Sequence, residues 1–510
     1  MNGAESLLRS LVASGVDTCF ANPGTSEMHF VAALDRAPGM RAVLGLFEGV
    51  VTGMADGFGR MRGAPAVTLL HLGPGLANGL ANLHNARRAS TPIVNVVGDH
   101  ATYHRQYDAP LASDIAGFAA PVSSWVESSV DARAVGSDAA RAVRAARRSP
   151  GSIATLILPA DVAWNDAGDD AVAPASVADS TVTATVDRLR NGRRTAILIR
   201  GDALGERGLA AASRIANATG ARVLCDTFTA RLRRGAGVPA VERLPYFAEQ
   251  LVDALADVEQ LVLVGAASPV AFFAYPGKPS DCVDPRTEVT TLAHAHEDVV
   301  GALEAVASAF DSQPTPVGLS LPDEPTGRMD QWSIGRVIAR HLPEDAVVSD
   351  EGATNSLGAN TALLTALPHD VLSLTGGSIG QGVPVAAGAA VASPERKVVS
   401  LQGDGGAMYT LQALWTMARE NLDVTVVLFA NRAYSILQIE LNRTGARDLL
   451  AEGDRTARSL FDLTNPSLDW VRLAEGMGVE AVSVDDIASF SAAFASAMRQ
   501  PGPRLIEVVL

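Results

Sequence analysis

The sequence predicts an α/β protein with three doubly wound parallel sheets, each covered by helices on both faces. Short apolar β-rich runs alternate with helical patterns along the whole chain. Two segments with little periodicity, 163–183 and 313–326, are rich in turn-forming residues and are typical of linkers. The length of 510 residues fits about three domains of roughly 150 residues each. We therefore expect domains at 1–163, 184–310 and 328–510.

The strands are predicted from runs of β-branched and other apolar residues, taken in chain order. Their ranges are 66–71, 92–97 and 153–158 in the first third, 195–199, 222–225, 261–264 and 289–292 in the second, and 346–349, 397–401, 424–429 and 505–509 in the last. Because 47% of the residues are hydrophobic and only 5% are aromatic, the cores are expected to pack small and aliphatic side chains tightly between helices and sheets.

The charge balance argues against a nucleic-acid-binding protein. The formal net charge is −15, and binding to phosphate backbones needs a basic surface. The arginine-rich stretch 133–148 is interrupted by alanines, which is typical of the solvated face of a helix. No nucleic-acid partner is expected.

The cysteines and the apolar runs predict a cytoplasmic protein. The three cysteines are far apart, which excludes a disulfide framework and a CxxC metal site and suits a reducing compartment: Cys19, Cys225 and Cys282. The sequence near the start, including residues 7–12, has the pattern of an amphipathic helix and lacks the features of a secretory signal. No apolar run reaches about 18 residues, so no membrane partner is expected.

The strongest chemical signal lies in the last third. The strand 397–401 leads into Gly403-Asp404-Gly405-Gly406, a helix is predicted from about 409 to 420, and the strand 424–429 ends at Asn431. One strand–helix–strand crossover brings Asp404 and Asn431 to the same carboxyl edge of a sheet. Their oxygens suit Mg²⁺ or Ca²⁺, and the glycines let a phosphate approach the backbone. A GDG run alone would also fit an ordinary strand-to-helix turn with an Asp cap.

This GDGG…AN pattern resembles the GDG-x-N motif of thiamine diphosphate enzymes, and the order of the other motifs is similar to the acetolactate synthase and benzoylformate decarboxylase group. The resemblance implies a pyrimidine-binding, a central and a diphosphate-binding domain. It also implies that Asp404, Asn431 and the backbone carbonyl of Ala433 hold Mg²⁺. Ala430 departs from the family, which usually has a second Asn there; the metal-ligating Asn remains, so we expect metal binding.

Two motifs of the first domain extend the resemblance. The run Asn22-Pro23-Gly24-Thr25 resembles a turn that borders the site in benzoylformate decarboxylase. The run LFEGVVTGMADGFGRMRG resembles the family helix that opens with the catalytic glutamate, which is Glu48 here. A carboxyl group among apolar neighbours is poorly hydrated and can share a proton with the cofactor pyrimidine, leading to the C2 ylid. A solvated carboxylate at a helix start is the alternative.

A glycine-rich turn in the third domain is expected to shape the cofactor. The run 376–380 resembles the segment that places a bulky apolar residue, here Ile379, beneath the cofactor rings. Alone, such a turn indicates only packing. The full set of cofactor-binding residues that the resemblance implies is Asn22, Pro23, Gly24, Thr25, Glu48, Thr354, Gly377, Ser378, Ile379, Gly403, Asp404, Gly405, Gly406, Asn431, Ala433 and Tyr434.

The residues that would select the substrate match neither group completely. His71, before a GPGxxN turn, resembles a histidine of benzoylformate decarboxylase that assists proton transfer; a histidine bonded to backbone at a strand end is the alternative. The second histidine of that enzyme is absent, and Ala274 stands in its place. The substrate-discriminating Trp of acetolactate synthase is also absent. Glu440 stands at or beside that position, as an acid/base group or a solvated helix residue.

The sequence therefore predicts a lyase or carboligase of the acetolactate synthase type that acts on a small-molecule 2-oxo acid. Alternatives are a simple decarboxylase of an aromatic or branched 2-oxo acid and a catalytically inactive binding subunit. The central domain carries no residue that demands FAD, so thiamine diphosphate and Mg²⁺ are the expected cofactors and FAD is possible but not favoured. The resemblance further implies a homodimer or homotetramer, with sites between the first domain of one subunit and the third of another.

Overall fold

The computed structural model describes residues 1–167, 180–274, 279–443 and 456–510. Within these ranges the chain forms three sheets of six, five and seven strands, with helices between the strands. The α/β class with three doubly wound sheets is therefore confirmed. Residues 168–179, most of the predicted linker 163–183, lie outside the described ranges, and the predicted domain boundaries stay predictions.

The strands are numbered in chain order. They are β1 Thr18–Asn22, β2 Arg41–Leu44, β3 Ala66–Leu70, β4 Ile93–Asp99, β5 Trp125–Ser128, β6 Ile153–Pro159, β7 Thr195–Ile199, β8 Arg222–Cys225, β9 Leu232–Arg234, β10 Glu242–Arg243, β11 Gln260–Val264, β12 Glu288–Ala293, β13 Val347–Glu351, β14 His369–Ser373, β15 Val398–Gly403, β16 Val424–Ala430, β17 Glu480–Val484 and β18 Arg504–Val509. Each run predicted as a strand is one of these to within two residues at either end. The strands without a predicted run are short or carry polar residues: β1, β2, β5, β9, β10, β14 and β17.

The α-helices are numbered in the same way. They are α1 Gly3–Ala13, α2 Met28–Leu34, α3 Glu48–Arg62, α4 Leu72–Ala89, α5 Ile115–Ala119, α6 Val135–Ala146, α7 Ala160–Trp164, α8 Ser180–Leu189, α9 Glu206–Thr219, α10 Ala248–Leu255, α11 Val299–Ser308, α12 Gln331–His341, α13 Leu357–Ala362, α14 Gly382–Ala392, α15 Asp404–Ala407, α16 Ala413–Glu420, α17 Ser435–Arg443, α18 Thr456–Ser459, α19 Trp470–Gly476 and α20 Ile487–Arg499. None of the helices in the described ranges combines the length and the apolar character needed to cross a bilayer.

The strand orders are β2-β1-β3-β4-β6-β5, β10-β8-β7-β11-β12 and β17-β18-β16-β15-β13-β14-β9. The first two sheets are parallel throughout their described pairs. The third contains one antiparallel strand, β9, whose residues lie in the predicted central domain but pair with β14. A short strand can join the edge of a neighbouring sheet in this way without a crossover helix.

A second difference concerns the crossover after β15. We predicted one helix from about 409 to 420, but Asp404 itself opens the one-turn helix α15, and α16 begins only at Ala413. Residues 408–412, between the two helices, form turns instead of the first part of one helix.

Apolar cores cover both faces of each sheet, as the alternation of buried side chains along a strand requires. In β3, for example, Leu69 and Leu70 belong to different cores. The core that contains Leu70 also includes Val50 of α3 and Val385 of α14, and so joins the first sheet to the third. Close contact of α3 and α14 therefore fixes the relative position of these two sheets.

Candidate functional site

The carboxyl ends of β15 and β16 bring together the two residues that the GDGG…AN pattern singled out. The strands are paired in parallel, with Gly403 opposite Phe429. Asp404 follows β15 and is buried, and its Oδ2 accepts a hydrogen bond of 2.7 Å from the backbone N–H of Arg432, one residue beyond Asn431. The expectation that both residues lie at one sheet edge is thus confirmed.

The turn after β16 contains Asn431 and is stabilised by the hydrogen bonds of its side chain. Arg432 takes a left-handed backbone conformation, with φ of 54°, which sharply redirects the chain. Asn431 Oδ1 accepts from the N–H of Ala433 at 3.1 Å, and Asn431 Nδ2 donates to Ser435 Oγ at 3.0 Å. Asn431 therefore braces the turn, and its amide oxygen is bonded only to a backbone N–H among the contacts of the described residues.

Gly405 and Tyr434 show why the glycine run is needed. A Cβ at Gly405 would lie 2.5 Å from Cε1 of Tyr434, so a side chain there would displace the ring. At Gly403 a Cβ would meet only the carbonyl oxygen of Glu351, at 3.9 Å. The strand end is therefore open at Gly403 and closely packed at Gly405.

The electrostatics at Asp404 fit a divalent cation. Burial raises the pKa of the Asp404 carboxyl, and the charge of Glu507 acts in the same direction. In the described part of the chain its oxygens accept from the backbone N–H groups of Gly405 and Arg432, and no cationic side chain pairs with it. A carboxylate, an amide oxygen and a backbone carbonyl are the hard donors that Mg²⁺ prefers. Among described residues no group of three or more His, Cys, Asp or Glu could hold a metal, and the predicted set contains one such side chain.

Glu48 is the first residue of α3, and 7% of its surface is exposed, which excludes the solvated carboxylate considered above. Asn78 Nδ2 donates to Glu48 Oε2 at 3.0 Å. A Cβ at Gly75 would lie 3.1 Å from Glu48 Oε1, so the GPGxxN turn of α4 closes around the carboxyl group. Asn78 is therefore a site residue that the sequence offered in a motif without a role.

In the part of the chain that the structure describes, the His71 side chain bonds a buried carboxylate and no backbone group. Its Nδ1 lies 2.8 Å from Glu27 Oε2, which also accepts from the N–H of Gly24 at 2.8 Å. Gly24 lies flat against the imidazole, because a Cβ there would come within 2.2 Å of the ring. With Nδ1–H donating to the carboxylate, Nε2 remains able to accept or deliver a proton.

Glu27 is a residue that the sequence reasoning missed, although it lies only two residues after the run Asn22-Pro23-Gly24-Thr25. Burial raises its pKa, and the nearby His71 opposes that rise. Its Oε1 has no partner within the described residues and lies only 1.6 Å from the position of a Cβ on Gly98. The turn Asn22-Pro23-Gly24-Thr25 thus serves to bring this carboxylate under His71.

The run 376–380, which contains Ile379, is held from the first domain by α4. Asn85 Nδ2 donates to the carbonyl of Ser378 at 2.7 Å, and the N–H of Ser378 donates back to Asn85 Oδ1 at 3.2 Å. His84 Nε2 lies 3.1 Å from the carbonyl of Gly376. Gly377 has a φ of +74° and is exposed, and Ile379 is half-buried.

The other side of the same run is held by Glu351, at the end of β13. Its two carboxylate oxygens accept from the N–H groups of Gly380 at 2.7 Å and Gly382 at 2.5 Å. Burial raises the pKa of Glu351. A Cβ at Gly406 would lie 2.5 Å from Glu351 Oε1, so this carboxylate also packs against the GDGG run. No sequence motif pointed to Glu351, and only the tertiary structure shows that it bonds Gly380 and Gly382.

Thr354 and Glu440 lie on separate elements beside this edge. Thr354 is half-buried in a 3₁₀ turn directly after β13. Glu440 lies on α17 and pairs with Arg443 at 3.1 Å, and Arg443 also bonds Glu249 of α10. Glu440 is therefore partly buried in an ion-pair network, unlike the solvated residue considered above, and its acid/base role stays a prediction.

A cavity of about 1210 Å³ lies at the junction of the three sheets, away from these residues. Gly201 and Gly265, at the carboxyl ends of β7 and β11, line it together with arginines such as Arg60 and Arg231 and acidic residues such as Asp370. None of the described lining residues is a predicted site residue. That FAD is possible but not favoured stays a prediction.

Comparison with known proteins accounts for this arrangement. Residues 1–119 match the family model for the thiamine pyrophosphate enzyme N-terminal TPP binding domain, and residues 352–508 match that for the C-terminal TPP binding domain. A Mycobacterium tuberculosis protein described as "Putative acetolactate synthase large subunit IlvX" is 53% identical over 100% of this chain and 99% of its own length. Benzoylformate decarboxylase of Pseudomonas aeruginosa is 27% identical, covering 97% of this chain and 96% of that protein.

A solved structure shows the same fold. The thiamine diphosphate-dependent 4-hydroxybenzoylformate decarboxylase of Rhodococcus jostii RHA1 superposes with a TM-score of 0.86 at 23% identity, covering 99% of this chain and 98% of that one. The similarity to the mycobacterial relative extends over the whole chain and so includes both matched domains. The chain belongs to the thiamine pyrophosphate enzyme family.

Proposed function

We propose that this protein uses thiamine diphosphate and Mg²⁺ to cleave the carbon–carbon bond next to the carbonyl of a 2-oxo acid, and then transfers the product carbanion to a second carbonyl, as an acetolactate synthase does. The observation that carries the proposal is the buried carboxylate of Asp404, which lies beside Asn431 at one sheet edge with no cationic side chain bonded to it in the described residues. The name of the mycobacterial relative supports the acetolactate synthase type.

The residues of the third segment have the role of binding the cofactor. Asp404, Asn431 and the carbonyl of Ala433 are to hold Mg²⁺, and the glycine run 403–406 leaves room for the diphosphate. When bound, thiamine diphosphate supplies a carbon nucleophile and an electron sink for bond cleavage. Ile379 is to fix the shape of the bound cofactor; its neighbour Ser378 is held by Asn85, and its neighbour Gly380 is held by Glu351.

The residues of the first segment have the role of moving protons. The Glu48 carboxyl, held by Asn78 at 3.0 Å, is to hold the proton shared with the cofactor pyrimidine. His71, held by Glu27, is to give or take a proton at its Nε2 atom near the substrate. Glu440, which pairs with Arg443, is a further candidate acid/base group.

A simple decarboxylase is a second candidate, and the Glu27–His71 pair favours it. A histidine held in one tautomer by a buried carboxylate suits protonation of a carbanion, the step that ends decarboxylation. The decarboxylases among the similar proteins support the same reading. The absence of a second histidine in the run 268–274 counts against it.

The site is expected to be completed by a second copy of the chain, so we also propose at least a homodimer, with a homotetramer as the alternative. Large apolar side chains are exposed close to the proposed site: Leu46 lies two residues before Glu48, and Tyr409 packs on Gly380. Such exposed apolar side chains beside a functional site are typical of an interface. Light scattering after size exclusion, with and without cofactor, measures the assembly; a monomer in both states contradicts it.

The test is a titration of the purified protein with thiamine diphosphate and Mg²⁺, followed by circular dichroism, and then addition of pyruvate or benzoylformate with detection of CO₂ and products. A saturable Mg²⁺-dependent signal with CO₂ and acetolactate from pyruvate supports the proposal. CO₂ and free aldehyde without ligation products support the second candidate. No cofactor signal contradicts both.

Two variants separate an enzyme from an inactive binding subunit. Glu48→Gln is expected to bind the cofactor with unchanged affinity and to lose at least about 100-fold in turnover, because it removes an acid/base group. Glu395→Gln, an exposed carboxyl at the turn before β15, is the matched control and should retain full turnover. Equal turnover of the two variants would favour the inactive subunit.

A further inference from the structure

Two buried polar side chains, Glu351 and Gln402, lie at the ends of two neighbouring strands of the third sheet. The parallel register of β13 and β15 places these two residues opposite each other. Glu351 is 5% exposed and Gln402 is 0% exposed. In the described part of the chain no cationic side chain pairs with the Glu351 carboxylate, whose oxygens are met there by N–H donors.

One side of this pair contacts the turn that follows Ile379. Glu351 Oε1 accepts from the N–H of Gly380, and Oε2 accepts from the N–H of Gly382. The first of these N–H groups belongs to the peptide unit that joins Ile379 to Gly380. A Cβ at Gly382 would lie 2.2 Å from Gln402 Oε1, so the amide also lies against this turn. The carboxylate therefore sets the orientation of the backbone directly after Ile379.

The other side of the pair contacts the GDGG run. A Cβ at Gly406 would lie 2.5 Å from Glu351 Oε1 and 2.8 Å from Gln402 Nε2, so the backbone of Gly406 packs on both side chains. Thr410 Oγ1, in the turns between α15 and α16, donates to the carbonyl of Gly380 at 2.8 Å and adds a second link between the two segments. The Glu351 carboxylate is thus in contact with the GDGG run and with the turn after Ile379.

The bonds of this carboxylate are sensitive to small displacements. Burial raises the pKa of Glu351, and the N–H groups of Gly380 and Gly382 oppose that rise. In a buried site each such hydrogen bond is strong, and the loss of one leaves a buried group without a partner. A shift of the GDGG run that moves the carboxylate therefore changes the bonds that hold the turn 380–382.

We propose that Glu351 is a positioning residue that couples the two halves of the cofactor site: the binding of Mg²⁺ and the diphosphate group at the GDGG run orders the run 376–382, which then receives the cofactor rings. The inference rests on the proposed function, since it takes the GDGG run to bind the diphosphate and Ile379 to lie beneath the rings. It goes beyond that function in giving the site an order of assembly and in assigning that order to a residue outside the predicted cofactor-binding set.

The first test follows amide hydrogen exchange in the wild type and needs no variant. Inorganic pyrophosphate with Mg²⁺ is the probe, because it carries the diphosphate group without the rings. It is expected to slow exchange in peptides that cover 376–382 at least about threefold, although it binds at the GDGG run. Peptides that cover β11 in the central sheet are the internal control and should exchange at an unchanged rate. Unchanged exchange at 376–382 would refute the coupling.

The second test compares affinities by calorimetry in Glu351→Gln. The amide keeps the size of the side chain, but it replaces one acceptor oxygen with an NH₂ group that faces an N–H donor. Because the turn must then be ordered when the rings bind, the affinity for thiamine diphosphate with Mg²⁺ should fall at least about tenfold. The affinity for pyrophosphate with Mg²⁺ should stay within about threefold, since Asp404 and Asn431 are unchanged. Pyrophosphate should no longer slow exchange at 376–382 in this variant.

Asp350→Asn is the matched control, because it makes the same change from acid to amide one residue earlier in β13. Successive side chains of a strand point to opposite faces, and Asp350 bonds Asn360 and the N–H of Gly352 instead of the turn 380–382. Both affinities of this variant should stay within about twofold of the wild type. The melting midpoint of each variant without ligand checks that it is folded.

The outcomes separate this inference from the proposed function. If Glu351→Gln weakens thiamine diphosphate and pyrophosphate equally, Glu351 only supports the local fold; the coupling is then refuted and the proposed function stands. An unchanged affinity for thiamine diphosphate refutes the coupling as well. If Glu351→Gln does not fold, the exchange measurement on the wild type still decides. If the wild type binds neither ligand in the presence of Mg²⁺, the proposed function fails and this inference fails with it.

Discussion

Replacing Asp56 with alanine tests the buried ion pair of α3, which bonds to the end of β14 in the third sheet. Asp56 and Arg60 are one turn apart on α3, with side chains 0% and 1% exposed, and they form two hydrogen bonds of 2.8 and 2.5 Å. Arg60 also donates to the carbonyl of Ser373 at 2.8 Å and to Thr375 Oγ1 at 3.1 Å. Asp56 thus balances the charge of the Arg60 guanidinium, and Ser373 and Thr375 accept further hydrogen bonds from it.

The expected magnitude follows from leaving this cation buried without its anion. Arginine stays protonated at any accessible pH, so removal of the carboxylate costs about 3–5 kcal/mol of stability. Thr91 Oγ1, which donates to Asp56 Oδ1 at 2.6 Å, loses its acceptor as well. For a domain of this size each kcal/mol lowers the melting midpoint by roughly 2–4 °C, so a decrease of about 6–20 °C is expected.

The assay is differential scanning calorimetry of the wild type, Asp56→Ala, Arg60→Met and the double variant. Removing both charges and filling the space with an apolar side chain is often neutral for a buried pair, so the double variant should recover most of the loss. If the double variant is as unstable as the sum of the single ones, the ion-pair reasoning is refuted. A decrease below 2 °C for Asp56→Ala would refute the calculated magnitude.

Three further predictions concern buried groups. Because burial raises the pKa of Glu27, its stabilising contribution is complete below the ordinary value of 4.5 and is lost as the pH rises through the raised value. Between pH 4.5 and 8 the melting midpoint of Glu27→Gln should therefore fall less than that of the wild type. Equal falls of the two proteins would contradict this. Burial lowers the pKa of His369 from 6.5 to about 4, so about 3 kcal/mol is lost as the pH falls from 6.5 through 4. His369→Asn, which cannot take up that proton, should show a flatter midpoint over this range, and an unchanged slope would exclude the assignment. Gly388→Ala would place a Cβ 1.9 Å from the backbone oxygen of Met54 and should lower the free energy of unfolding in urea by about 1–3 kcal/mol. Gly318→Ala, which has open space around it, is the control and should leave that free energy unchanged. Equal urea midpoints for the two variants would refute the close packing of α3 and α14.

The sheet edge with Asp404 and Asn431, and most of the strands, could be predicted from short stretches of sequence. Asp404 and Asn431 could be paired from the sequence because each directly follows an apolar strand and one crossover separates them, and parallel strands end at the same edge. Glu48 could be placed at a helix start for a similar reason. These features depend on residues close in the chain, whose relative positions are set by backbone geometry.

The partners of these residues could not be predicted in the same way. Glu351 bonds Gly380 and Gly382, and Phe272 lies on Gly377, although neither pair belongs to a common motif. The pairing of β9 with β14 likewise joins segments far apart in the chain. Each contact depends on how one sheet packs on another, which the pattern of a single strand does not contain. Glu27 is intermediate, since its motif was visible and its bond to His71 was not.

The sequence by itself determined the α/β class, the strand order of the chemistry-bearing crossover and the residue types at its ends, because these depend on hydrophobic periodicity and on the direction of neighbouring strands. Only the tertiary structure decided what surrounds those residues: the Glu27 carboxylate beside His71, and the hydrogen bonds of Asn85 and Glu351 to the run 376–380. The physical reason is that such contacts arise where separate sheets meet, and burial, packing and charge pairing there depend on the whole fold at once.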